Sequence, residues 1–212
     1  MAVAIYDDIG TQIRIDATQR ALRVTPRATD GNHFSFAATT GVLAALTTGD
    51  LFQLRWPSPS TVAVIRRVRV SAAVSTTVFT AGVPVELALS RITGWTAQGT
   101  GGTILTPTPV RSSMVTVVQS GDARIATTTG LGVGTRGAAP DVATLVAPGP
   151  LTGQPGIIFP AVTALWEAEV GDADHPLVLG LNEGLVVRAV AVPPAGTWRL
   201  SVQVSYAEVA SY

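Results

Sequence analysis

Residues 197–206 set the strongest constraint on the fold. Trp198, Leu200, Val202, Val204 and Tyr206 alternate with Thr197, Arg199, Ser201, Gln203 and Ser205. Ten residues of period two describe a half-buried strand, apolar side inward and polar side outward. A second run, Leu185 to Val192, puts Leu185, Val187 and Ala189 on one face and Arg188 on the other. Pro193-Pro194-Ala195-Gly196 lies between them, two residues of fixed φ followed by one of free φ, which reads as a turn. The pattern predicts a hairpin around which a β-core is built.

Upstream, the same reasoning predicts further short strands. They are His33–Phe36, Leu51–Trp56 (Phe52, Leu54 and Trp56 inward, Gln53 and Arg55 outward), Thr61–Val74, Val83–Leu89, Met114–Val118, Ala123–Thr127 and Ile157–Trp166. Thr40–Leu46 fits a helical turn or a strand end equally well. In Thr61–Val74, Val62, Val64, Val68 and Val70 share a face that Arg66 interrupts, so a bulge shifts the register there or the strand end opens to solvent. Two Gly/Thr/Pro-rich stretches, 94–110 and 130–156, read as long loops, with Trp95 pinning the first. With no periodic apolar face to bury, they are expected to be the most variable in backbone order when the protein is free. Short strands punctuated by Pro and Gly, with no long helix, predict an all-β fold, a β-sandwich with a jelly-roll-like Greek-key path, over residues 33–212. Residues 1–32 hold two short alternating segments around Ile13–Ile15 and Leu22–Val24 and read as an extended N-terminal arm or an edge hairpin.

Charge is scarce. Of 212 residues, 28 are charged, 14 of each sign, and every basic residue is arginine. That is 13% charged, against about 25% in an average soluble domain. The remaining surface must be Thr, Ser, Gly and Ala, which resists self-association poorly. An assembly component fits this composition, although a lysine-free basic set also follows from a GC-rich genome. Zero net charge argues against nonspecific nucleic-acid binding. No apolar run approaches the roughly 18 residues of a membrane span, and Met1–Asp8 lacks the regions of a signal peptide. With no cysteine there is neither a disulfide nor a thiolate metal site.

Four groups of residues bear on chemistry. Gly132-Val133-Gly134-Thr135-Arg136-Gly137 fits the G-x-G-x-x-G spacing, but Pro140 interrupts the helix a dinucleotide site requires and no βαβ pattern surrounds it. It reads as a glycine-rich loop. Glu167, Glu169, Asp172, Asp174 and His175 offer oxygen ligands, yet no Asp-x-Asp-x-Asp-Gly frame exists, and a solvated turn is the simpler reading. Arg67 and Arg69 share a strand face with Arg66 opposite, which fits pairing with carboxylates across a sheet better than a phosphate stripe. His33 and His175 have no nucleophile motif near them. The expectation is a protein that is not an enzyme and holds no cofactor or metal.

Pro176-Leu177-Val178-Leu179-Gly180-Leu181-Asn182-Glu183-Gly184-Leu185-Val186-Val187-Arg188 resembles the closing part of structural proteins in tailed bacteriophage virions. Pro193-Pro194-Ala195-Gly196-Thr197-Trp198 through Tyr206-Ala207-Glu208-Val209 is similar too, with weaker likeness at Ser112–Met114 and Arg124–Thr128. In that group an Asn-Glu-Gly turn leads into a strand, a Pro/Gly turn and a Gly-Thr-Trp strand ending in an acidic residue. The resemblance implies a virion component and carries over no functional site residue. The expected function is capsid decoration or stabilisation by a symmetric homo-oligomer, a trimer because such proteins commonly sit at local three-fold points. Its partners would be other virion proteins such as the major capsid protein. The alternative is a tail- or fibre-associated module binding host-surface glycans, with Trp95 stacking on a sugar ring.

Overall fold

The computed structural model describes residues 5–6, 12–13, 15–16, 21–22, 32–79, 84–110, 121–147, 162–168, 176–192 and 194–210. The chain divides into two compact units, Met1–Gly31 and Asn32–Tyr212. In the first, Ile5–Tyr6 (β1) pairs with Gln12–Ile13 (β2), and Ile15–Asp16 (β3) with Ala21–Leu22 (β4), both antiparallel.

The second unit is all-β. Its strands are Asn32–Thr39 (β5), Leu43–Ala44 (β6), Gly49–Trp56 (β7), Val62–Val74 (β8), Val85–Ile92 (β9), Thr103–Leu105 (β10) and Thr108–Pro109 (β11). Asp122–Ile125 (β12), Asp141–Ala147 (β13), Thr163–Glu167 (β14), Leu177–Leu179 (β15), Glu183–Ala191 (β16) and Thr197–Val209 (β17) complete it. They form two antiparallel sheets. One runs β10-β12-β7-β16-β9-β13; the other runs β11-β5-β17-β8-β14, with β15 also on β8 and β6 also on β17. Inward side chains of both sheets share one core, so the unit is a β-sandwich.

The two strongest alternating runs are both central strands. β17 lies between β5 and β8, and β16 between β7 and β9. They are not a hairpin: the structure places them in different sheets, with no pairing to each other. Alternation fixes which side chains point inward, not which neighbour takes the backbone hydrogen bonds. Two runs with apolar faces can bury them side by side or face to face, and here Leu185, Val187 and Ala189 meet the core shared with Trp198, Leu200, Val202, Val204 and Tyr206. The turn between them is therefore a crossover. Gly196 adopts φ 102°, and a Cβ there would collide with the Phe79 ring.

Arg66 sits at a bulge. Ser205 pairs with Arg67 and Tyr206 with Ile65, so Arg66 is the extra residue and is exposed. The bulge reverses parity along β8. Beyond it Val68, Val70, Ala72 and Val74 face the core; before it Ala63 and Ile65 do, in place of the expected Val62 and Val64. A similar shift in β7 pairs Val187 with Phe52 and Arg188 with Asp50, which brings Leu51 and Phe52 into the core.

One end of the core is aromatic. Tyr206 lies 5.5 Å from Phe34, 5.6 Å from Phe36 and 5.7 Å from Trp56 between ring centroids. Burial, with the Glu208 carboxylate adding to it, pushes the Tyr206 phenol well above its ordinary range.

Other expectations shift in detail. Thr40–Leu46 resolves into β6 and a turn, Ala123–Thr127 into β12, and the strand expected from Ile157 is described only over β14. β13 lies within a stretch expected to be loop, because its Val-Ala-Thr-Leu-Val-Ala run lacks a strict polar alternation. Met114–Val118 lies outside the described residues.

Trp198 is fully buried and Arg199 exposed, two neighbours on opposite faces of β17. Trp198→Ala should cost roughly 3–5 kcal/mol of stability. Arg199→Ala should cost about 0.5 kcal/mol or less. Denaturant unfolding of both variants is the check; equal shifts would contradict the register.

Candidate functional site

The Asn182-Glu183-Gly184 segment is fastened at every residue. Asn182 takes φ 59°, a conformation that asparagine tolerates, and Glu183 N–H closes the turn onto Gly180 O at 3.0 Å. The Glu183 carboxylate accepts from Gly180 N–H (2.8 Å) and from Arg91 Nη2 (2.5 Å). Gly184 lies beneath Trp95, where a Cβ would fall 2.5 Å from Trp95 Cε3. Asn182 O accepts from Trp95 N–H at 2.7 Å, and Asn182 N–H donates to Trp56 O at 2.9 Å. The motif anchors a turn, a strand and a loop at once.

That loop covers the outer face of the six-stranded sheet. Trp95 is fully buried against Ile92 and Val186, with Ala139 packed on the same cluster, and its indole N–H donates to Ala97 O at 3.0 Å. Trp95 does pin the loop, as its isolation among glycines suggests. Its burial also removes it as a platform for a sugar ring. The two glycine-rich stretches zip together by backbone hydrogen bonds: Thr96 N–H to Thr135 O (2.9 Å), Thr135 N–H to Ala97 O (3.0 Å), Gly132 N–H to Thr100 O (3.0 Å) and Gly137 N–H to Thr93 O (2.8 Å). Within these stretches the structure also describes short strands, β10 and β11 in 94–110 and β13 in 130–147; residues 148–156 lie outside the described residues. Low side-chain bulk is what lets two backbones approach. A Cβ on Gly134, where φ is 69°, would strike Ala97 O.

A buried polar cluster holds this layer to the sheet. Asp50 is 3% exposed. Both terminal nitrogens of Arg136 donate to its carboxylate, Nη2 to Oδ1 at 3.3 Å and Nη1 to Oδ2. Gln53 Nε2 donates to Asp50 Oδ2 (2.8 Å) and to Gly132 O (2.9 Å). The Arg136 guanidinium stands 5.7 Å from the centre of the Trp95 ring. So the G-x-G-x-x-G segment opens no helix; its arginine is a peg. Sequence reasoning missed this cluster, because Asp50 and Arg136 are 86 residues apart and the bulge in β7 is what puts Asp50 on the outer face.

The remaining candidates separate. Arg67 and Arg69 both meet Glu167, Arg69 Nη2 at 3.8 Å, as a cross-sheet pairing predicts. His33 lies on β5 opposite Ala207. Glu169, Asp172, Asp174 and His175 lie outside the described residues. Among the described residues no three His, Asp or Glu side chains gather as a metal ion would need. A second unforeseen cluster joins Asp141 to Ser90 Oγ (2.5 Å) and to Arg188 Nη2 (2.8 and 2.7 Å).

The outer face of the seven-stranded sheet carries small residues: Ala37, Thr39, Ser71 and Ser201, bordered by Arg69 and Gln203, around a shallow depression of about 460 Å³. Thr39 and Ser201 hydroxyls are 2.9 Å apart. The two broad faces thus differ: one is overlain by pinned loops, the other is open, with a shallow depression whose lining mixes hydroxyls with Ala37 and the exposed Val162.

No family model, curated protein or solved structure matches the chain.

Removing Arg136 strands the Asp50 carboxylate in a buried site. Arg136→Ala should cost about 3 kcal/mol, with Arg136→Lys recovering only part, since an ammonium lacks the fork. Chemical unfolding measures both. The Ser90 hydroxyl, with Arg188 adding to it and burial opposing, holds the Asp141 carboxyl below its ordinary value of 3.8. A lowered folded pKa means the unfolded chain takes the proton first as pH falls, so this contribution is full above 3.8 and is lost as pH drops through the lower folded value. The stability gap between the wild type and Asp141→Asn should close in acid, read from unfolding curves across pH.

Proposed function

We propose that this chain is a non-enzymatic structural protein of a tailed bacteriophage virion, one that decorates or stabilises the capsid as a symmetric homo-oligomer, a trimer being favoured. The carrying observation is the employment of the residues behind the resemblance. Asn182, Glu183, Gly184, Gly196, Trp198 and Tyr206 are spent on turns, crossovers and core, as an architectural signature would be. The scarcity of charge supports assembly. Six arginines already pair within the chain with Asp50, Asp122, Asp141, Glu167 and Glu183.

Connections that pass repeatedly between the two sheets support a jelly-roll-like Greek-key path. Residues 1–32, whose described strands pair two residues at a time, are the candidate arm, lying across a neighbouring subunit or the shell. The partners are then copies of the chain and the major capsid protein, and the location is the virion. The glycan-binding alternative loses its best residue with the burial of Trp95.

Mass spectrometry of purified particles tests this: the chain should be present at a copy number matching capsid symmetry. Absence from the particle overturns the reading. A chain beginning at Gly31 should bind particles less well; unchanged binding overturns the role of the arm alone.

A further inference from the structure

The open face of the seven-stranded sheet is built in rows. Across β5, β17 and β8, the outward residues Thr39, Ser201 and Ser71 form one row, and Ala37, Gln203 and Arg69 form the next. A third row sets Ser35, Ser205 and Arg67 side by side, with Glu167 of β14 beyond Arg67. On β17, Ser201 stands between Arg199 and Gln203 on the same side of the sheet. Short hydroxyl side chains flanked by long ones leave a hollow, which is the depression of about 460 Å³. Its lining joins Thr39, Ser71 and Ser201 to Arg69 and Gln203, together with Val162, the residue before β14. The Thr39 and Ser201 hydroxyls, 2.9 Å apart, order one another.

Charge on this face is unbalanced. It bears Arg67, Arg69 and Arg199 against the Glu167 carboxylate, and Arg67 binds that carboxylate directly. Arg69 stands 3.8 Å from the same group, beyond hydrogen-bond reach, with 37% of its side chain exposed. Arg69 is therefore a surplus cation at the border of the depression, beside one amide and three hydroxyls. A guanidinium only donates, whereas an amide and a hydroxyl both donate and accept. A ligand that matches this set offers one carboxylate to the arginine fork and several hydroxyls to its neighbours.

We infer that this depression binds an acidic saccharide, Arg69 pairing with the carboxylate of a uronic or sialic acid unit while Gln203, Ser71 and Ser201 meet its hydroxyls. The volume lies in the range of small-ligand sites, about 300–1,000 Å³. No aromatic ring is among the lining residues, so recognition rests on charge and hydrogen bonds instead of stacking, and a neutral sugar would leave the arginine unused. A docked protein segment would want a buried aromatic or apolar anchor, which this floor of hydroxyls does not offer. A phosphate chain would want a line of cations, and the chain as a whole is neutral. The inference goes beyond the virion role and does not depend on it.

The test applies the full chain to an array of galacturonate, glucuronate and sialic acid oligosaccharides, then measures the best binder by titration calorimetry. The expected result is binding to an acidic saccharide, weakened about tenfold or more when its carboxylates are methyl-esterified. Arg69→Gln should bring a similar loss and Arg69→Lys a partial recovery. Ser201→Val adds bulk to the floor without changing charge and should weaken binding too; it reads the same site if Arg69→Gln alters the far-UV circular dichroism spectrum. Arg124→Gln, on the six-stranded sheet, should bind as the wild type does. Failure to bind every acidic saccharide overturns the site, as does equal affinity for the methyl ester or an equal loss in Arg124→Gln. Equal affinity for oligoglutamate overturns the saccharide and assigns the depression to an acidic peptide. Absence of the chain from virions, read by mass spectrometry, overturns the virion role and leaves this site standing.

Discussion

The core shared by the inner faces of β16 and β17 is what the second unit depends on. Each is a central strand, so each carries hydrogen bonds on both edges and apolar side chains on its inner face. Fully burying a Val, Leu or aromatic side chain is worth about 1.5–3 kcal/mol relative to exposure, and these two strands alone place seven such side chains, with Ala189, in one core. The outer strands then have somewhere to add. β7 and β9 complete the six-stranded sheet around β16, and β5 and β8 complete the other around β17. Because the two strands are consecutive in sequence, a short crossover through Gly196 is one of several connections that join the sheets.

Polar residues play a second part, as tethers. A chain with few charges has placed most of its described arginines against carboxylates. Exposed pairs such as Arg67–Glu167 contribute little individually. Arg136–Asp50 differs, since the carboxylate is buried and a neighbouring glutamine shares it. The arginine fork suits this duty better than an ammonium, because two parallel donors fix orientation as well as distance. Through that tether and the Trp95 cluster, segments rich in Gly and Thr become a layer on the sheet. Their lack of bulk, which makes them look loose in sequence, is the property that permits close backbone approach.

The sequence by itself determined parity and class. Alternation over Thr197–Tyr206 assigned inward residues correctly, as it did for Phe52, Leu54 and Trp56, and the break at Arg66 in a valine face allowed a bulge or an opening strand end, of which the structure shows the bulge. Pro and Gly punctuation without a helical period gave an all-β architecture. The cross-sheet duty of Arg67 and Arg69 was legible because strand faces follow from counting by two. Tertiary structure alone decided partners. It separated β16 from β17, moved the inward positions of early β8 to Ala63 and Ile65, made β13 a strand, and joined Asp50 to Arg136 and Asp141 to Ser90 and Arg188. The physical reason is that side-chain direction is a local property with period two, whereas backbone N–H and C=O groups are the same at nearly every residue. Which strand satisfies them is chosen by the packing of distant apolar faces, and no local pattern records that choice.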